Sequence, residues 1–302
     1  MNMNMYIQQT LVAGIAMLAA VPALAVQNID RSQATGATPI VEVNNVQGKV
    51  TVTAWDRNEV KLTGTIENDE HKLEFTGDAG RVTIAVRPES QPSRYGRDDD
   101  ALLEVRVPAG ALLRVQTVSA DIAAAGVRGE QRLEAVSGDI TTELFDQPLD
   151  VRSISGDVEL RGSGGKGKVH AESTSGNVTA RGLGGEMEAK SVSGDLDLQL
   201  GVTSGVRLET VSGDLSARLT LADGGRVDAQ SVSGDVSLSF GKPVNGEFEI
   251  ESFSGDIDNC FGPKASRKSE YAPGKELRFT QGTGNARVSL ETLSGDIDLC
   301  DH

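Results

Sequence analysis

Residues 187–198 and 206–217 read MEAKSVSGDLDL and VRLETVSGDLSA, and the two segments align without a gap. Each carries Ser-Gly-Asp between stretches of alternating apolar and polar residues. The tripeptide or a near variant recurs nine times between Ser119 and Asp296. Eight of the serines, Ser119, Ser137, Ser155, Ser175, Ser193, Ser212, Ser233 and Ser254, follow one another at 18 to 21 residues, and Ser294 lies 40 residues further on. Self-similarity at this period marks a solenoid, because a single unit cannot bury its own apolar face and must stack on its neighbours.

Counting from each Ser gives the register. Six residues before it stand Leu149, Val169, Met187, Val206, Val227, Phe248 and Val288; four before stand Leu133, Val151, Ala171, Ala189, Leu208, Ala229, Ile250 and Leu290. Two before is always small, as in Ser153, Ser173, Thr210 and Ser252, which permits close approach between coils. Beyond the tripeptide, Ile140, Val158, Val178, Leu196, Leu215, Val236, Ile257 and Ile297 follow directly. Period-2 alternation on both sides of a tight corner reads as strand, turn, strand. The pattern predicts an all-β fold, a parallel β-helix or β-solenoid with coils of 18–21 residues, right-handed by the crossover preference.

The residues between the inward positions carry charge. Three before the Ser run Glu134, Arg152, Glu172, Lys190, Glu209, Gln230, Glu251 and Glu291; five before run Arg132, Asp150, His170, Glu188, Arg207, Asp228 and Glu249. Their signs largely alternate, and opposite charges on neighbouring strands favour pairing. This predicts parallel stacking in sequence order.

The corners are Ser137-Gly138-Asp139, Ser155-Gly156-Asp157, Ser193-Gly194-Asp195, Ser212-Gly213-Asp214, Ser233-Gly234-Asp235, Ser254-Gly255-Asp256 and Ser294-Gly295-Asp296, with Asn177 in place of Asp in one unit. Gly reaches positive φ, and Ser and Asp side chains bond amides that lack sheet partners, so the row reads first as a structural turn ladder. The competing reading is a row of carboxylates for hard cations. Asn177 is an uncharged member that a turn accepts more readily than a metal ladder does.

Leu11 to Ala20 is apolar and too short to span a bilayer, and Ala23-Leu24-Ala25 supplies a small-residue cleavage site, so residues 1–25 read as a signal peptide with cleavage after Ala25. Residues 26–118 read as a strand-rich N-terminal part and cap of the solenoid, and 119–302 as the regular repeat. No later run is apolar enough for a transmembrane helix. The net charge of −15 argues against nucleic acid as a partner. Nothing in the pattern calls for a cofactor or a metal.

Cys260 and Cys300 each stand six residues after their Ser. In an exported protein this shared phase predicts a disulfide between adjacent coils, whose spacing near 4.8 Å suits the 4.4–6.8 Å between bridged Cα atoms. The residues between Ser254 and Ser294 then form one coil with an excursion near 262–276. Its basic and aromatic residues, Lys264, Arg267, Lys268, Tyr271 and Lys275, read as a cover across the acidic stack or as a docking loop for an acidic partner.

The segments Val41-Glu42-Val43-Asn44-Asn45-Val46-Gln47-Gly48-Lys49-Val50 and Trp55-Asp56-Arg57-Asn58-Glu59-Val60, followed by repeated Val-Ser-Gly-Asp, resemble the bacterial envelope family labelled "putative adhesin", a β-solenoid domain of unknown function. The resemblance implies an exported solenoid and brings no catalytic residues. The leading expectation is therefore a non-enzymatic, adhesin-like binding or scaffolding protein in the periplasm or at the cell surface, its partner an envelope protein or polysaccharide. A periplasmic partner in envelope sensing is the alternative. Polysaccharide lyase or hydrolase chemistry stands further off, because the outward acids Glu159, Asp197, Asp258 and Asp298 recur along the stack instead of converging.

Overall fold

The computed structural model describes residues 26–67, 71–88, 100–267 and 273–300, apart from the side chain of Cys300. Residues 1–25, which read as a signal peptide, and Lys268 and Tyr271 lie outside the described residues. The described chain forms 23 strands joined in a single sheet system, with no helix among the described residues. Each regular unit contributes one strand before the corner and one after it, and both pair in parallel with their counterparts in the next unit. Val151, for example, lies between Leu133 and Ala171, and Leu160 between Thr142 and Ala180. The inward positions six and four before the Ser, and those after the tripeptide, form one continuous apolar core. The interior is mostly aliphatic, with Phe240 and Phe248 buried toward its C-terminal end. At the Ser137 coil, buried Gln131 interrupts it; its amide donates to the carbonyls of Val127 and Glu143, and its oxygen accepts from Thr142 Oγ1 at 2.7 Å.

Stacking follows sequence order from the Ser119 coil to the Ser233 coil and then departs from it. The last strand pair, Ala286–Ser294 and Ile297–Cys300, is inserted between the coils of Ser233 and Ser254. Ser294 pairs with Ser233 on one side and with Ser254 on the other; Ile297 likewise lies between Val236 and Ile257. This corrects the expectation of uninterrupted sequential stacking. One physical contribution comes from the charges five before the Ser. Sequence order would set Asp228 beside Glu249, whereas the insertion places Ser289 between them and leaves Glu249 facing the other way. There the excursion returns as the antiparallel strand Lys275–Thr280, which covers the end of the stack. Arg278 on that strand binds Glu249 at 3.0 Å and Glu251 at 2.7 Å, and Phe279 stacks flat on Phe248 with ring centroids 4.5 Å apart.

The N-terminal end repeats this plan. The strand Ile40–Trp55 lies between the coil of Leu112–Ala125 and a coil built from Arg81–Pro88 and Ala101–Pro108. Within it Gln47, Gly48 and Lys49 sit opposite Ser119, Ala120 and Asp121, so the segment occupies the place of a corner. Antiparallel strands Glu59–Ile66, Gln27–Ala34 and His71–Gly77 lie further out. Both ends of the stack therefore close with antiparallel strands, which limits the parallel edge offered to another chain.

The corners hold a hydrogen-bonded chain. The backbone N–H of Asp139 donates to Asp121 Oδ1 at 3.1 Å, that of Asp157 to Asp139 at 2.9 Å, and that of Asn177 to Asp157 at 2.8 Å. The chain continues through Asp195, Asp214, Asp235, Asp296 and Asp256, each N–H donating to the preceding Oδ1 at 2.7–2.9 Å. Asn177 takes its place because its carbonyl Oδ1 accepts from the Asp195 amide as a carboxylate would. The Lys275 ammonium forms an ion pair with Asp256, the last carboxylate of the row.

The corner glycines answer to space more than to φ. Gly138, Gly156, Gly176, Gly194 and Gly255 are not at positive φ, which corrects the conformational expectation for them. A Cβ on Gly156, Gly176, Gly194, Gly234, Gly255 or Gly295 would instead overlap the carbonyl oxygen of the corner glycine in the adjoining coil. Behind them some of the buried hydroxyls two before the Ser bond to a corner, whereas those of Thr210 and Ser231 find no partner. Ser153 and Ser173 accept from the N–H of Gly156 and Gly176 at 2.9 Å, and Ser252 donates to the carbonyl of Gly295 at 3.1 Å.

Substituting Asp195 separates the acceptor from the charge. Asp195→Asn keeps the Oδ1 acceptor and leaves stability nearly unchanged, while Asp195→Ala costs about 1 kcal/mol, the net worth of one hydrogen bond. Chemical denaturation of both variants checks this, and an Asn variant as unstable as the Ala variant would contradict it.

Candidate functional site

The strand entering each corner has three outward positions, because alternation turns the hydroxyl-bearing residue inward toward the glycine. Two are the charged positions five and three before the Ser. The third, immediately before it, is apolar in eight of nine units: Val118, Val136, Ile154, Val192, Val211, Val232, Phe253 and Leu293, with Thr174 in the remaining one. These eight side chains are 41–56% exposed. Parallel register stacks equivalent positions about 4.8 Å apart, so they form an apolar ridge beside the corners, interrupted at Thr174 and unbroken from Val192 to Phe253. Isolated exposed apolar residues are ordinary, whereas a contiguous row is a feature of interaction surfaces.

One flank of the ridge is an ion-paired lattice. Arg152 reaches Asp150 at 3.4 Å and Glu172 at 3.8 Å; Lys190 reaches Glu188 at 3.1 Å and Glu209 at 3.2 Å; Arg207 reaches Glu209 at 2.6 Å. His170 stands between Glu172 and Glu188 at 3.7 and 3.5 Å. Hydrogen bonds from Lys190 hold the Glu188 carboxyl below its ordinary range, and those from Arg207 and then Lys190 do the same for Glu209. The Lys190 ammonium is raised in turn by Glu188 and Glu209. Each pair is solvent-accessible and individually weak, so the lattice fixes side-chain positions more than it adds stability.

Between lattice and ridge, toward the C-terminal end, lies a groove of about 610 Å³. Val192, Val211, Val232, Leu293 and Phe253 line one side, and Lys190, Glu209, Gln230, Glu291 and Glu251 the other. Gly274 and Lys275, where the strand covering the stack begins, close its end. This is an elongated trough with an apolar wall and a charged rim, suited to holding a surface or an extended segment.

Other residues singled out from the sequence are not brought together there. Glu159 pairs with Arg161 at 2.8 Å, and Asp197 lies two coils away beside Arg181. Asp258 and Asp298 are neighbours in the two last coils. No group of three or more His, Cys, Asp or Glu is arranged to hold a metal among the described residues. Lys264 and Arg267 are exposed near the stack's end, where Arg267 pairs across the sheet with Lys275. The ridge is hard to see in the sequence because the Val before Ser-Gly-Asp reads as part of the motif. Its signal was present: a residue in the same outward phase as the charged rows is nevertheless apolar in eight units.

No curated protein sequence matches the chain. Solved structures do resemble it. One is a "putative adhesin" from Parabacteroides distasonis, with TM-score 0.52, 11% identity, and coverage of 91% of this chain and 97% of that one. Another "putative adhesin", from Bacteroides fragilis, has TM-score 0.48, 12% identity and coverage of 92% and 99%. A "putative lipid binding protein" from Parabacteroides distasonis has TM-score 0.41, 14% identity and coverage of 90% and 96%. At such identity the first likeness speaks for fold alone, and the other two add nothing to it. The Toastrack DUF4097 family model matches residues 40–300, nearly the whole described solenoid. This all-β, solenoid-like chain belongs to the Toastrack DUF4097 family.

Proposed function

We propose that the chain is a non-enzymatic, adhesin-like binding or scaffolding protein of the bacterial envelope, acting through the apolar ridge and its charged flank. The observation that carries this reading is the exposure of eight apolar side chains in one row. A purely structural corner has no need of them, since Thr174 fills the same place without disturbing the register. Export through residues 1–25, with cleavage after Ala25, is part of the proposal, as is a right-handed parallel β-helical winding. The excursion serves as a cover for the end of the stack and leaves Lys264 and Arg267 exposed to an acidic partner.

A Cys260–Cys300 bridge is also proposed. The register supports it, because Asn259 pairs with Leu299 and the Cys260 N–H donates to the Leu299 carbonyl at 3.0 Å, which sets the two cysteines side by side in adjoining coils. Such a bond ties the inserted coil to the one outside it. Alkylation of the denatured, unreduced protein is expected to label neither thiol; labelling of both would defeat the bridge.

The binding reading is tested with purified mature protein and isolated envelope fractions, using a variant carrying Val192→Thr, Val211→Thr and Val232→Thr. Retention on the envelope is expected to fall about tenfold, equivalent to about 1.4 kcal/mol, with unchanged circular dichroism. Undiminished retention would reject the ridge as the binding surface. Release of sugar products from envelope polysaccharide, lost in a Glu159→Gln, Asp197→Asn double variant, would reject the non-enzymatic reading. Fractionation of cells separates surface adhesion from a periplasmic partner role.

A further inference from the structure

We propose that the occupant of the ridge is a second copy of this chain, packed antiparallel about a two-fold axis midway between the Ser193 and Ser212 coils. The inference rests on the reading of the ridge as a binding surface and names its partner. It follows from the order of charges, which is set by the observed coil order and not by the sequence order.

The eight coils from Ser137 to Ser254 place the ridge and its two charged rows along about 34 Å, seven steps of about 4.8 Å. Reversed about its midpoint, each row sets most of its charges against an opposite charge, while Glu172 meets neutral Gln230 and Asp150 meets neutral Ser289. In that arrangement Lys190 of one copy faces Glu209 of the other, and Arg152 faces Glu291. One row further out, Glu188 faces Arg207, and Arg132 faces Glu249.

Glu134 opposite Glu251 is the one like-charged pair in the two rows, and Glu251 is already bound by Arg278 at 2.7 Å. A slip of one coil reverses the outcome, setting Lys190 against Lys190 and Glu172 against Glu209. The inserted coil is essential to the match. With Ser254 and Ser294 stacked in sequence order, Arg132 would face Ser289 and lose its opposite charge.

The apolar positions agree with this register, since Val192 of one copy meets Val211 of the other beside the axis. Contact between the two ridges removes apolar surface from water, which drives association, while the charged rows select orientation and register. An isologous contact of this kind closes at two subunits and does not propagate into fibres.

Sedimentation equilibrium of the full mature protein over about 1 to 100 µM, a range bracketing micromolar affinity, provides the test. The wild type is expected at twice the chain mass. The Val192→Thr, Val211→Thr, Val232→Thr variant is expected at the single mass with the same melting temperature. A mixture of a Val192→Cys variant with a Val211→Cys variant is expected to cross-link faster than either alone, a readout independent of the triple variant's folding. A wild type that stays monomeric overturns the proposal, as does a dimer that survives the Thr substitutions or cross-links without preference for the mixed pair. A monomer whose envelope retention still falls in the triple variant rejects the second copy and leaves the binding reading standing. A monomer whose retention is unaltered rejects both.

Discussion

The spacing between coils at the corners is the constraint on which the rest of the structure depends. Glycine is required there because the corner carbonyl of the preceding coil occupies the space a Cβ would take. The Asp or Asn after it is required because its Oδ1 receives the next coil's amide, which has turned out of the sheet. Together these contacts hold equivalent residues in register from Asp121 to Asp256. Every row on the molecule inherits that register, including the aliphatic stacks inside, the ion-paired lattice outside and the apolar ridge beside the corner. A ridge assembled from single side chains of separate units exists only because the corners do not slip.

The two ends solve a common problem of solenoids in a similar way. A stack of parallel strands leaves an edge, and an unpaired edge invites another chain. Here the chain threads one coil inside its neighbour at each end, Ile40–Trp55 at one and Ala286–Cys300 at the other, and places antiparallel strands beyond. The C-terminal segment is thereby paired on both sides instead of fraying. Lys275 completes the closure by meeting the last carboxylate of the corner chain, so a residue that reads as part of a free basic loop belongs largely to the cap.

Much of this was legible in the residues. The inward positions, the corner and the length of each unit follow from Ser-Gly-Asp and its flanking alternation, because burial and pleat impose the same period on every coil. Coil order was harder to read, since all coils share one pattern and any two can stack. Gln230, Glu251 and Glu291 give no alternating signal, and the discriminating residues were Asp228, Glu249 and Ser289, where sequential stacking sets like charges together. The role of glycine reads as conformational because a sequence shows the turn but not the neighbour pressing on it. The candidate site was the least legible part, for Val192 and Val211 are unremarkable as residues and acquire meaning only once stacked.

The binding surface depends on the corner register and on the inserted coil, so the order of the last three coils is the central claim. Engineered cysteine pairs test it directly, because adjoining coils near 4.8 Å fall within disulfide reach and coils two steps apart near 9.6 Å do not. Oxidation is expected to link Ser233→Cys to Ser294→Cys and to leave Ser233→Cys with Ser254→Cys unlinked. The opposite result, with 233 joined to 254 and not to 294, would contradict the account.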